Sequence, residues 1–266
     1  MQRVAMEPKY QNWFLKDFSN AAQRVLLLDY GGTLAPRSLH PKSAFPYAGI
    51  RERLRCISRE PRTRLITVSS RPGYEVKALL GIDPAPEIWG SDGLERIYPN
   101  GRYECDELDV PVESLKALEG CEAALRNAGL ARITETGLRG ILVRCNGLME
   151  AEGFESRTKA YQVFESVAAA HEKLRLVESE EGVELRLRCA NKGNAVRRLV
   201  EYVQPDVSIA YLGDNLSDED AFRVLNGRGL TVLVSSVPRF TAAQINLRPP
   251  DEVISFLDDW IRARRL

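Results

Sequence analysis

Two acidic stretches hold side chains placed where they could do chemistry. Asp29 follows the apolar run Val25 to Leu28 and precedes Gly31, Gly32 and Thr33; far downstream, Asp214 and Asp218 sit in Gly-Asp-Asn-Leu-Ser-Asp-Glu-Asp, residues 213 to 220, behind another apolar run. A carboxylate at the carboxyl end of a buried strand lies where the loops of an open α/β sheet diverge into a ligand-binding crevice. The glycines after it let backbone N–H groups approach an anion closely. Alone, Asp29 would fit an ordinary strand-to-turn junction with a solvated carboxylate. The second acidic junction turns attention to a shared crevice.

The elements that must position these residues follow from the apolar pattern. Val25–Leu28, Leu65–Val68, Ser208–Leu212 and Gly229–Val234 read as buried strands. Helices alternate with them, at Ile50, Leu54 and Ile57, at Tyr74–Leu80 closed by Gly81, and from Asn191 with Val196, Leu199 and Val200 on its apolar side. This alternation predicts an α/β fold, a Rossmann-like parallel-sheet core with right-handed crossovers. Ser69 would then lie beside Asp29 at one sheet edge, and Lys192 would open a helix. An aromatic stripe, Tyr10, Trp13, Phe14 and Phe18, reads as core packing of a helix over 9 to 22; His40, in a Pro-bounded loop, reads as a surface residue. Residues 88 to 102 look like a hairpin. Val253, Phe256, Leu257, Trp260 and Ile261 define a closing helix.

Between residues 110 and 188 the grammar changes to helices and strands without crossovers, which predicts an α+β domain inserted into a core formed by 1–109 and 189–266. Its helices are outlined by Leu115, Leu118, Cys121 and Leu125, and by Phe154, Tyr161, Phe164 and Ala168. In its last strand Glu184, Arg186 and Arg188 alternate with Val183, Leu185 and Leu187, so the charged residues share one face. On pattern alone that is a salt-bridged face turned to solvent.

Composition narrows the function. The 37 Lys+Arg balance 37 Asp+Glu, so no overall charge favours nucleic acid, although a small anion needs only a local patch. The five Cys show no metal-ligand spacing and read as reduced thiols. No apolar run approaches the ~20 residues that span a bilayer, and no signal-peptide pattern opens the chain, so the expectation is a cytoplasmic protein without membrane contact.

Taken together, Asp29, Ser69, Lys192 and the pair Asp214 and Asp218 resemble the four-part signature of the haloacid dehalogenase superfamily. Leu-Leu-Leu-Asp-Tyr-x-Gly-Thr-Leu, Gly-Ser-x-Gly-x-Glu-Arg, Glu-x-Arg before x-Lys-Gly, and Tyr-Leu-Gly-Asp-x-x-x-Asp-Glu-Asp-Ala-Phe are similar to the landmarks of trehalose-6-phosphate phosphatases, in that family's order. The resemblance implies a phosphatase acting on a sugar phosphate, with the insertion as a cap. It makes Asp29 the nucleophile, forming an aspartyl-phosphate, with Ser69 and Lys192 holding phosphoryl oxygens. Mg2+ would take Asp29, the carbonyl of Gly31 and Asp214, with Asp218 in support. Gly32, Thr33 and Arg71 would bind the phosphate end of the substrate, and Arg144, Glu184 and Arg186 the sugar end. The residue types suit that chemistry, because a phosphate ester repels nucleophiles and needs a placed attacker, a cation and oxygen-binding donors.

The departures matter as much. The family carries a second Asp two residues after the nucleophile, which moves a proton to the leaving sugar oxygen; here that position is Gly31. The family's Gly-x-His-Gly is Gly90-Ser91-Asp92-Gly93, and its other cap contacts correspond to Glu135-Thr136-Gly137 and Arg144-Cys145-Asn146. Two readings stand: a phosphatase slowed by Gly31, or a pseudophosphatase that binds a sugar phosphate or supports a trehalose-phosphate synthase without turnover.

Overall fold

The structure, a computed structural model, describes residues 18, 21–37, 43–106, 112–179 and 181–263. Apart from Phe18, the aromatic stripe expected on a helix over 9 to 22 lies mostly outside these residues, and so does His40. The chain forms two compact units, Met1–Cys105 with Asn191–Leu266, and Asp106–Ala190.

The first unit is built on an eight-stranded sheet in the order β12-β11-β10-β1-β2-β3-β4-β5. Its parallel strands are β1 (Arg24–Asp29), β2 (Thr63–Val68), β3 (Glu87–Gly90), β10 (Ser208–Gly213), β11 (Leu230–Val234) and β12 (Ile245–Leu247). Antiparallel β4 (Glu95–Ile97) and β5 (Tyr103–Cys105) extend one edge. The hairpin expected over 88 to 102 is therefore split, with β3 joining the parallel sheet before the chain turns back. From β1 the chain winds outward through β2 and β3, then returns to β10 on the other side of β1. That reversal is a topological switch point, and it places the ends of β1 and β10 on either side of a crevice.

Period-two geometry sorts β1 between two cores. Leu26 and Leu28 join a cluster with Ile50, Leu54 and Ile57 of α1 (Ile50–Ser58), Val76 and Leu80 of α2 (Gly73–Leu80), and Val253, Phe256 and Trp260 of the closing helix Asp251–Arg262. Val25 and Leu27 join the other, with Val196 and Leu199 of the helix Lys192–Tyr202 and Phe222 of the helix Glu219–Leu225. Leu26, Leu27 and Leu28 are fully buried, and each such side chain contributes about 1.5–3 kcal/mol. Continuing the alternation, Asp29 emerges on the side of Lys192–Tyr202, and Tyr30 joins the first core.

The second unit has a four-stranded antiparallel sheet, order β6-β7-β9-β8: Thr134–Gly137, Gly140–Arg144, Gly182–Leu187 and Leu174–Glu178. Its helices are α3 (Val112–Asn127) and α4 (Glu150–Ala170). Helix α4 buries Gly153, Ser156, Ala160 and Phe164, while Phe154 is 74% exposed, so its inner stripe is made of small residues and lies to one side of the apolar pattern. The charged face of β9 corrects the expectation of a solvent-facing strand: Glu184 and Arg186 are buried. The reason is position, since β9 is an interior strand, and its register sets Leu142 and Val177 beside Glu184, and Gly140 and Arg175 beside Arg186. Among the described residues no helix is long and apolar enough to cross a membrane.

Candidate active site

The backbone brings Asp29 to the end of β1 and Asp214 directly behind β10 on the neighbouring strand. Carboxylate oxygens of Asp29, Asp214 and Asp218 all lie within 4.8 Å of one another, and all three residues are buried. The helix Lys192–Tyr202, α5 in chain order, starts at this point because Asn191 caps it. Asn191 Oδ1 accepts from the N–H groups of Gly193 at 2.7 Å and Asn194 at 3.2 Å, while its amide donates to Asp220. That cap holds Lys192 in the first turn, over the crevice. Its Nζ donates to Asp29 Oδ1 at 2.5 Å and to Asp218 Oδ1 at 2.8 Å.

Asp218 uses all of its acceptor positions on the protein. Its Oδ1 also accepts from the Tyr211 hydroxyl at 2.7 Å, and its Oδ2 accepts from the N–H groups of Asp214 at 3.0 Å and Asn215 at 2.9 Å. Asn215 and Asp218 form a capping box, so the acidic run caps the short helix that it opens and also shapes the loop that carries Asp214. By contrast, Asp29 Oδ2 and Asp214 Oδ1 are buried and accept no hydrogen bond. A buried carboxylate oxygen without a donor is expensive, and one on each of two carboxylates in this buried cluster fits a hard divalent cation that takes oxygen ligands and keeps several waters. The residues present therefore fit Mg2+, with Asp29 and Asp214 as side-chain ligands and Asp218 holding the loop behind them.

Electrostatics agree with an anionic hollow. Burial pushes the Asp29 carboxyl well above its usual range, against the pull of Lys192, and Asp218 and Asp214 push it further. Burial likewise raises Asp214, with Asp218 adding and Arg37 opposing. Burial works against the charge on Lys192, but the Asp218 and Asp29 carboxylates outweigh it and raise its pKa. Among the described residues, Asp29, Asp214 and Asp218 gather around Lys192 and Arg37, with Asp92 also acting on Lys192, and a further positive charge would favour the ionised form of Asp29 and Asp214.

The glycines have separate jobs. A Cβ on Gly32, whose φ is +94°, would lie 1.9 Å from Asp214 Oδ2, so only glycine lets that carboxylate rest against the turn. A Cβ on Gly31 would meet nothing within 4 Å. Thr33 is fully buried and its hydroxyl has no hydrogen-bond partner, which leaves it available to a ligand oxygen. Ser69 follows β2, buried, with its Oγ accepting from the N–H of Arg71 at 3.2 Å. Arg71 lies 3.9 Å from Glu75. At the end of β3, Ser91 and Asp92 take left-handed φ of 50° and 58°; Asp92 is buried and its N–H donates to the Ser69 carbonyl at 2.8 Å. Two adjacent non-glycine residues in that region are strained, as residues near functional sites often are.

Arg144, Glu184 and Arg186 belong to the second unit, where register puts them on one face of its sheet. Arg144 is held by Glu135 in a two-pronged contact at 2.8 Å and by Glu181 at 3.0 Å, and Glu135 raises its pKa. Glu184 lies 3.1 Å from Arg139 and 3.9 Å from Arg186. Reading the sequence missed Arg37, whose Nε donates to Asp214 Oδ2 at 2.6 Å; nothing in its loop, after Pro36, marks it out. It also missed the support that Tyr211 gives Asp218, for which the inward parity of β10 was the available signal.

Comparison with known proteins fits this geometry. The trehalose-phosphatase family model matches residues 150–251, a stretch holding Lys192, Asp214 and Asp218. Trehalose-phosphate phosphatase B of Arabidopsis thaliana is 28% identical over 275 residues, covering 97% of this chain and 72% of the relative. Among solved structures, the C-terminal domain of C. albicans trehalose-6-phosphate phosphatase superposes with a TM-score of 0.78 at 18% identity, covering 95% of this chain and 96% of that one. A haloacid dehalogenase-like hydrolase from Bacteroides thetaiotaomicron superposes at 0.61 with 18% identity, covering 89% and 98%. The chain is thus similar in sequence to trehalose-phosphate phosphatases and in fold to haloacid dehalogenase-like hydrolases.

Proposed function

We propose that the chain is a Mg2+-dependent phosphatase of sugar phosphates that works through an aspartyl-phosphate on Asp29. The observation that carries this reading is the pair of partnerless carboxylate oxygens, Asp29 Oδ2 and Asp214 Oδ1, next to an aspartate–lysine contact at the sheet's switch point. Bound Mg2+ would neutralise charge on the phosphoryl oxygens and so admit an anionic substrate to an anionic hollow. Asp29 attacks phosphorus, a new carboxylate-oxygen bond to phosphorus forms, and the phosphorus bond to the sugar oxygen breaks. Lys192, Ser69, the Thr33 hydroxyl and the N–H groups around Gly32 hold the phosphoryl oxygens as charge builds on them. Arg71 backs the phosphate end, and Asp218 keeps Lys192 and the Asp214 loop in place.

Gly31 has no side chain to move a proton. The departing sugar oxygen takes its proton from water, and water attacks the aspartyl-phosphate without a positioned base, so both steps are slow. By the resemblance to trehalose-phosphate phosphatases, the unit Asp106–Ala190 corresponds to that family's cap, and Arg144, Glu184 and Arg186 on one face of its sheet are the polar candidates for the sugar. A phosphatase screen over sugar phosphates with Mg2+, with Asp29→Asn as control, tests the reading. Phosphate release that needs both Mg2+ and Asp29 is the expected result; release that persists in Asp29→Asn overturns it.

Gly31 also favours a second reading, a pseudophosphatase that binds a sugar phosphate or supports a trehalose-phosphate synthase. It predicts sugar-phosphate binding by calorimetry with no turnover of any ester, aryl phosphates included.

A further inference from the structure

Arg37 lies in the loop that leaves β1, and it meets the Asp214 carboxylate from the solvent side. Its Nε donates to Asp214 Oδ2 at 2.6 Å and its Nη2 reaches the Asp214 carbonyl at 3.4 Å. The arginine side chain is 51% exposed and that of Asp214 4%. The two oxygens of Asp214 thus differ in fate: Oδ2 sits under the guanidinium, and Oδ1 is buried without a donor. The carboxylate also rests on Gly32, where a Cβ would lie 1.9 Å from Oδ2 and 2.8 Å from Oδ1. Backbone N–H groups of this loop are spent on Asp218, so they do not orient Asp214. Any rotation of the carboxylate short of a half-turn, which only exchanges two equivalent oxygens, would break the contact with Arg37.

We propose that Arg37 is a positioning residue for the metal centre: by engaging Asp214 Oδ2 it leaves Oδ1 to a divalent cation held with Asp29. The inference rests on the metal reading above. Two effects of Arg37 on a cation oppose each other. Its positive charge repels the ion, but half of the side chain is in solvent, where water and salt screen it. Its hold on the carboxylate acts inside the protein, where orientation of a ligand by an outer partner typically changes metal affinity by about 10- to 100-fold. Orientation therefore dominates.

Glutamine separates the two, because its amide nitrogen occupies the same place along the side chain as the arginine Nε and donates without charge. Titration calorimetry of the whole chain with MgCl2 is compared for the parent, Arg37→Ala and Arg37→Gln, with the melting temperature of each measured in EDTA. The expected result is Mg2+ affinity weakened about 10- to 100-fold in Arg37→Ala and retained within about threefold in Arg37→Gln, with the EDTA melting curves showing that each variant is folded at the titration temperature. Equal or tighter binding by Arg37→Ala overturns the proposal by showing that repulsion prevails. Equal weakening in both variants also overturns it, because a neutral donor at the Nε position then fails to restore binding. A parent chain that binds no Mg2+ refutes the metal reading and this inference together, whereas a binding parent matched by Arg37→Ala refutes this inference alone.

Discussion

Lys192 Nζ bridges Asp29 Oδ1 at 2.5 Å and Asp218 Oδ1 at 2.8 Å, so one buried ammonium ties the end of β1 to the loop behind β10. Removing one partner from a buried ion pair leaves the other charge unpaired, at a cost of about 3–5 kcal/mol. Lys192→Met should therefore lower the unfolding free energy in urea by that amount and abolish phosphate binding. A loss below about 1 kcal/mol would mean that the site's carboxylates do not rely on this cation.

Restoring the missing proton carrier is a direct test of the Gly31 reading. A Cβ at Gly31 meets no atom within 4 Å, so the first atom of the Gly31→Asp side chain has room. A positioned acid or base contributes about 10²- to 10⁴-fold, or roughly 3–5 kcal/mol of barrier. Turnover of a sugar phosphate should rise by that order, and turnover of p-nitrophenyl phosphate, whose leaving group needs no proton, should rise less. Equal gains on both esters would assign the effect to the second, dephosphorylating step alone.

Neighbouring glycines should respond oppositely to the same added methyl. At Gly32 the backbone is left-handed, φ +94°, and a Cβ would collide with Asp214. Gly32→Ala should destabilise the fold by about 1–3 kcal/mol and remove Mg2+ binding, while Gly31→Ala should leave both near parental values. Melting curves with and without Mg2+ separate the two variants.

Burial alone holds the Cys121 thiol above its usual range, and burial also raises Cys145. Because the folded state favours the protonated thiol, its stabilising contribution is complete below about pH 8.5, the unfolded value, and is lost as pH rises through the higher folded pKa. Stability between pH 8 and 10 should fall less steeply in Cys121→Ala than in the parent. At pH 8 a thiol reagent followed by mass spectrometry should label the exposed Cys105 and Cys189 first and Cys121 last; prompt labelling of Cys121 in the folded chain would contradict this account.

The sequence by itself determined the sheet and the placing of the acids. The run Val25–Leu28 could be satisfied only between two cores, and its period-two alternation sends Asp29 toward the helix that Lys192 begins. Local patterns were enough there because strand parity and helix capping act over a few residues. The three-residue strand Ile245–Leu247 escaped notice, since so short a run has no period to detect. Tertiary structure alone decided what each charge faces. Glu184 and Arg186 carry the alternation of a solvent face, yet β9 has a partner strand on both sides: β8, across a short turn, and β7, which precedes it by the whole of α4. In the same way Asp218, legible as a cap, became the acceptor that anchors Lys192 and Tyr211, and Arg37, without any motif, came to hold Asp214 across 177 positions of sequence. Pairing of buried charges depends on which strand ends the sheet order makes neighbours, and no local pattern encodes that.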